Sequence, residues 1–164
     1  MKLLPVRPIL AATIGALISL GCATTYQSKG FTGGFSETQL AENIFQVRFR
    51  GNAYTSMERA TDFTLLRSAE LALQHGYPYF VVIDDAQHVD TSTYTTQPKA
   101  TTNVDVFAGT ATTTYAGGET YVYRKPSVAN TIVCFKERPG NAPVVFEAAF
   151  IQQSIRAKYG LVSE

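Results

Sequence analysis

Two cysteines, two histidines and no tryptophan make this 164-residue chain poor in the side chains that most often bind transition metals or carry covalent chemistry. His75 and His88 belong to no HExxH motif, no cysteine pair accompanies them, and the spacing that builds a zinc site is missing. Asp84, Asp85 and Asp90 could offer oxygens to calcium, but the loop spacing with its closing glutamate is absent, and solvated acids at a strand end are the simpler reading. There is no GxSxG elbow and no Ser, His and Asp set marked by context. Glycines 30, 33 and 34 lack the Lys-Ser or Lys-Thr pair and the preceding strand of a phosphate-binding loop. No catalytic residue, cofactor site or metal ligand can be singled out, so an enzyme would have to work through residues that carry no motif.

An excess of positive charge is also lacking. The formal charge is +1, and without residues 1–21, which hold Lys2 and Arg7, twelve basic residues face thirteen acidic ones, giving −1. No basic stripe provides the phosphate contacts that dominate nucleic-acid binding. A long apolar run is missing too. Ile9 to Leu20 supplies 12 uncharged residues, against the roughly 20 that a transmembrane helix needs, and Pro5 and Pro8 discourage extending it backwards.

What is present at the N-terminus is the layout of an export signal: Lys2 and Arg7, the apolar run, then Ser19-Leu20-Gly21 before Cys22. Ser19 and Gly21 satisfy the small-x-small rule of ordinary secretory cleavage, which would leave Cys22 a plain thiol able to bridge to Cys134. The stretch "ISLGC" also resembles the lipobox of bacterial lipoproteins, with Ser19 and Leu20 in a slightly shifted order. That resemblance implies cleavage before Cys22, a thioether-linked diacylglycerol on its sulfur and an acylated amine. Because each buried methylene adds about 0.8 kcal/mol, several acyl chains hold a protein on a membrane durably. Ala23 stands where lipoproteins retained in the inner membrane usually carry aspartate, so the resemblance implies the periplasmic face of an outer membrane. A lipidated Cys22 leaves Cys134 without a disulfide partner, and its place in "TIVCF" reads as a small apolar thiol in a strand core.

Hydrophobic content of 45%, with ten Phe and nine Tyr, suffices for one packed domain. Residues 22–40, rich in Thr, Ser and Gly, read as a lipidated flexible tether, with Phe31 and Phe35 docking on the body, and residues 41–164 as a single domain. "IFQVRFR", 44–50, alternates as a strand with Phe45, Val47 and Phe49 on one face. The helix that follows opens on a capping box of Thr55 and Glu58 and closes at Gly76, with Leu65, Leu66, Ala69, Ala72 and Leu73 on its apolar side. Asp62 falls inside that sector, either exposed near the first turn or paired with Arg48 or Arg50. Arg67 and Glu70 are spaced to pair on the surface.

"YPYFVVID", 77–84, predicts an interior strand and completes a βαβ core. The segment 88–120 is dominated by threonine, eleven of them between 91 and 120, and fits either a mobile loop or a long, thinly packed hairpin with short strands at 104–107 and 121–123. Pro126 ends a strand or breaks its edge, "NTIVCF" reads as another interior strand, and a terminal helix spans about 145–159 before Gly160. The fold class is α+β: a mixed or antiparallel sheet of four to five strands, with a long crossover helix and a C-terminal helix on one face.

"GFSETQLAENIFQVRFRGNAYTSMERATDFTLLRSAELALQHGYPYFVV", with "KPSVANTIVCF" and a terminal "IRAKYG", resembles a family of small, uncharacterised proteobacterial lipoproteins over most of the chain apart from the Thr-rich segment. The run from Phe49-Arg50-Gly51-Asn52 through Tyr54-Thr55-Ser56 to Ala69-Glu70 is the most telling. That family has no assigned activity, so the resemblance implies lipidation and one envelope domain without a mechanism. The expectation is a binding or structural module of the cell envelope, with no cofactor, held on the membrane through Cys22 and open to a protein partner or a second copy at a sheet edge. The alternative is a periplasmic enzyme or small-ligand carrier with a pocket between the sheet and the Thr-rich segment, betrayed by a cavity gathering Asp84, His88 and Arg48.

Overall fold

The computed structural model describes residues 22–161; residues 1–21, read from the sequence as an export signal, lie outside them. The chain runs β1 (Gly34–Ala41), β2 (Ile44–Arg50), α1 (Met57–Gln74), β3 (Tyr79–Thr95), β4 (Lys99–Asp105), β5 (Thr110–Ala116), β6 (Thr120–Phe135), β7 (Phe146–Glu147) and α2 (Ala148–Tyr159). Five strands form one sheet in the order β1-β2-β6-β3-β7, with every neighbouring pair antiparallel. The class is α+β. Because β2 and β3 each run antiparallel to β6 between them, they are parallel to one another but do not touch. The βαβ unit is therefore split, with α1 crossing over a strand contributed from much later in the chain. Among the described residues no helix is long and apolar enough to cross a membrane.

Alternation places Phe45, Val47 and Phe49 of β2, and Val128, Ile132 and Cys134 of β6, on the covered face. Both helices lie over that face. Ala60, Ala69 and Ala72 bring α1 close to the strands, while Phe63 and Leu66 fill the space beside them. Thr64 and Ser68 are buried with them, their hydroxyls donating to the carbonyls of Ala60 at 2.7 Å and Thr64 at 2.8 Å, so neither costs an unsatisfied group. The sheet's other face is uncovered along Arg48, Arg50, Ala86 and His88.

Several local expectations shift. The N-cap of α1 is Ser56, whose Oγ accepts from Arg59 N at 3.1 Å; Thr55 is diverted to the N-terminal segment. Gly76 closes the helix at φ 76°, with Tyr77 N donating to Ala72 O at 2.8 Å. The terminal helix begins at Ala148 and not near 145, because Phe146 and Glu147 are drawn into the sheet opposite Phe80 and Tyr79.

Residues 22–40 are not a flexible tether. Thr24 is buried, Tyr26 packs against Phe35 and Phe63 at ring separations of 4.9 and 5.3 Å, and residues from Gly34 form β1. Glycine serves close approach here: Gly34 sits at φ 124°, and a Cβ on it would lie 2.5 Å from Gln27 O. Phe35 docks as expected, whereas Phe31 is fully exposed.

The Thr-rich segment is a hairpin. β3 and β6 stay paired from Val89↔Pro126 out to Thr95↔Thr120, well beyond the body, and β4 and β5 continue the arm as a separate two-stranded sheet. Every residue of β4 and β5 is exposed. Pro126 does not break β6; it stands just beyond Ser127, where pairing with β2 stops, so its missing N–H costs no ladder bond.

Phe49 is fully buried and meets Phe63 edge-on at 5.2 Å. Phe49→Ala is expected to lower unfolding free energy by about 3–5 kcal/mol, read as a reduced urea midpoint at unchanged m-value, while an exposed arm change such as Thr112→Ala should leave the midpoint within about 0.5 kcal/mol of the parent.

Candidate functional site

A cleft of about 670 Å³ lies where the N-terminal segment meets α1 and α2, and its polar wall is built by Tyr26, Arg67, Glu70 and Arg156. Glu70 is buried at 6% exposure. Arg156 Nη2 donates to its Oε1 at 2.7 Å, Arg67 Nη1 to its Oε2 at 3.3 Å, and the Tyr26 hydroxyl donates to the same Oε2. Arg67 also donates to Glu37 of β1 at 2.8 Å and stands 4.6 Å over the Phe35 ring. The expected Arg67–Glu70 pair thus forms, but as part of a buried network and not on the surface. Burial, with Glu70's hydrogen bond and negative charge behind it, holds the Tyr26 hydroxyl well above the usual 10.0. With both Glu70 oxygens engaged, the carboxylate is placed to clamp three segments together and not to accept a substrate proton.

Asp62 follows neither expectation. It accepts from Lys158 Nζ at 2.7 Å and from the Tyr159 hydroxyl at 2.7 Å, tying α1 to α2 while Arg48 and Arg50 lie on the opposite face of the sheet. Lys158 Nζ also donates to Glu58 Oε1 at 2.6 Å, and the hydrogen bonds to Asp62 and Glu58 raise the Lys158 ammonium above its ordinary value.

A second cleft of about 300 Å³ lies on the uncovered sheet face, between Arg48 and Arg50 on β2 and His88 and Asp90 on β3, floored by Ala86, Ser127 and Ala129. His88 Nε2 lies 3.1 Å from Asp90 and Arg50 donates to Asp90 at 3.4 Å. Arg48 and His88 are brought together here, but Asp84 is not among the lining residues, and the Thr-rich arm projects away and does not cover the cleft.

Cys22 is exposed. Asn52 Nδ2 donates to its carbonyl at 2.9 Å, Thr24 N donates to Thr55 Oγ1 at 3.0 Å, and Asn52 N donates to Thr24 Oγ1 at 2.9 Å. Gly51 N, next door, donates to Pro126 O at 2.8 Å. Cys22 therefore leaves the body at the root of the arm. Cys134 is buried toward the other end of β6, roughly 26 Å from Pro126 along a strand rising about 3.3 Å per residue, against the roughly 7 Å that a disulfide tolerates between Cα atoms. The Cys22–Cys134 bridge is excluded, and burial pushes the Cys134 thiol up to about 11.

Comparison with protein-family models, with curated proteins and with solved structures returned no match.

Glu70→Leu, which leaves Arg67 and Arg156 without their shared counter-charge, is expected to cost about 3–5 kcal/mol in a denaturant titration. A raised tyrosine pKa stabilises the fold fully below pH 10.0 and loses that contribution as pH climbs toward the folded value. Stability should accordingly fall above pH 10, with tyrosinate absorbance at 295 nm from Tyr26 appearing only with unfolding, and Tyr26→Phe should flatten that alkaline decline.

Proposed function

We propose that this chain is a lipid-anchored protein of the bacterial cell envelope, held through acyl chains on Cys22 and acting as a binding or structural module without catalytic chemistry. The observation that supports it best is the junction at Cys22: an exposed cysteine preceded by a signal-like segment, with Thr24 buried two residues later. The resemblance of "ISLGC" to a lipobox, and of most of the chain to proteobacterial lipoproteins, supports the same reading. On it, the domain sits directly against the bilayer at its arm-root end, with no spacer to lift it away. The closest thing to an acid–base pair outside the helix clamps, His88 with Asp90, is solvent-exposed on the open face of the sheet, with Ser127 opposite His88 across the β3–β6 ladder.

The second reading is a small-ligand carrier. The cleft joining Arg48, Arg50 and His88 favours it, since clustered cations on a concave face suit an anionic group. Its uncovered floor weighs on the other side.

Intact mass of the chain extracted from its native membrane is expected to show a first residue of Cys22 carrying diacylglycerol and one further acyl chain, and Cys22→Ser should move the protein into the soluble fraction. A wild-type chain beginning at an unmodified Cys22 and free in solution would overturn the anchor.

A further inference from the structure

The arm is more than an extension of the sheet. Beyond the body, β3 and β6 carry on as a two-stranded ribbon whose outer edges have no ladder partner among the described residues, and β4 and β5 do the same. An isolated hairpin is marginal in water, and long unpaired edges are templates for another strand. Edges are usually guarded by like charge, yet residues 86–125 hold three acids (Asp90, Asp105, Glu119) and three bases (Lys99, Arg124, Lys125), so nothing repels a second copy.

The register sorts the tip hairpin into two faces. Ala100↔Tyr115, Thr102↔Thr113 and Val104↔Ala111 share one; Lys99↔Ala116, Thr101↔Thr114, Asn103↔Thr112 and Asp105↔Thr110 share the other. On the first face the Thr102 and Thr113 hydroxyls lie 2.9 Å apart and bond each other. At the turn, Asp105 Oδ1 accepts from Phe107 N and Ala108 N, each at 3.0 Å, and Val106 and Phe107 stand free in solvent. Tyr94, Tyr121 and Tyr123 share one face of the arm nearer its root, all exposed. Lys99–Asp105 and Thr110–Ala116 supply seven strand residues each, roughly 23 Å along the strand and about 16–19 Å along the bilayer normal at the 35–45° tilt of membrane barrels, so residues 106–109 of the turn must complete the ~25 Å apolar band.

Direction supplies the last element. Asn52 holds the Cys22 carbonyl, and Gly51 beside it bonds Pro126 at the arm's root, so anchor and arm leave the domain by the same end.

We propose that the tip hairpins of several copies pair edge to edge, β4 of one copy on β5 of the next, closing a barrel whose Ala100, Thr102, Val104, Ala111, Thr113 and Tyr115 face meets lipid and whose polar face lines an aqueous lumen. Closure is required because a bilayer offers no partner for a free strand edge, and head-to-tail pairing of two unlike edges is the geometry that closes rings. The direction of insertion rests on the anchor at Cys22; the barrel itself does not.

The test uses the full lipidated chain, purified in mild detergent and reconstituted into phosphatidylcholine vesicles containing phosphatidylglycerol. Single cysteines replace Ala100, Thr101, Thr102, Asn103 and Val104 in turn, each carrying an environment-sensitive fluorophore; Cys134 is buried and stays unlabelled. Positions 100, 102 and 104 are expected to emit to the blue and to be quenched by a lipid-borne nitroxide, while 101 and 103 are quenched by aqueous iodide, and unheated gel samples should run as an oligomer that heating dissociates. Uniform iodide quenching at all five positions, or a chain monomeric in the vesicles, overturns the proposal. Val104→Asp should abolish both the alternation and the oligomer while far-ultraviolet circular dichroism and the body's urea midpoint stay unchanged; an intact oligomer in that variant also counts against it. Mass spectrometry of the same sample reports the anchor separately, and the series is repeated in a Cys22→Ser background so that no exposed thiol competes for the label; alternation without acyl chains would remove the lipoprotein reading and leave the barrel standing.

Discussion

Glu70 is the point on which the architecture of the body turns. Its carboxylate is shared by a tyrosine forty-four positions upstream, an arginine one helical turn back and an arginine eighty-six positions downstream. A buried carboxylate with a single partner would be a net cost, because desolvation outweighs one Coulombic contact. With two guanidinium groups and a phenol converging on it, the charge is compensated and its lone pairs are filled. The N-terminal segment, α1 and α2 can then take only the arrangement in which all four groups meet. Apolar packing alone would tolerate sliding of α2 along α1; the Glu70 cluster at one end and Asp62 with Lys158 and Tyr159 at the other fix the register.

The same cluster changes the meaning of the residues after Cys22. Their composition, Thr, Ser and Gly with scattered aromatics, is that of a linker, and no local rule distinguishes a linker from a segment that folds back onto a finished body. What decides is tertiary: Tyr26 finds an aromatic seat between Phe35 and Phe63 and a carboxylate for its hydroxyl, and Thr24 exchanges hydrogen bonds with Thr55 and Asn52. The glycines that argued for freedom instead allow two backbones to touch.

Legibility in the sequence followed the range of the interaction. Period-two alternation in "IFQVRFR" and the apolar runs at 77–84 and 130–135 identified three strands of the sheet, and the helix between Thr55 and Gly76 was plain from its stripe and its glycine stop. Strand order was not legible, because pairing of β2 with β6 joins segments some eighty residues apart and no local pattern encodes it. Glu70 looked like an ordinary surface partner of Arg67 for the same reason: spacing of three gives the helical neighbour, while Tyr26 and Arg156 are brought in by the fold. The alternation of 99–116 was available in principle, but threonine on both faces blurs it until the register pairs Val104 with Ala111 and Asn103 with Thr112.

A short anchor and a long arm impose opposite constraints on one molecule. If acyl chains hold Cys22, a body clamped two residues later has almost no reach, and its sheet and clefts stay within a few tens of ångströms of the bilayer surface. The arm, from Val89 to Phe107, extends up to roughly 60 Å at about 3.3 Å per residue, more than the ~30 Å thickness of a hydrocarbon core. Such a projection, bare on both faces and both edges, loses conformational entropy along its whole length and gains little burial in return. A ribbon of that kind is worth its cost only where something other than the parent domain completes its hydrogen bonds, and its root is held by β3–β6 pairing and by the Gly51 N–H donating to the Pro126 carbonyl.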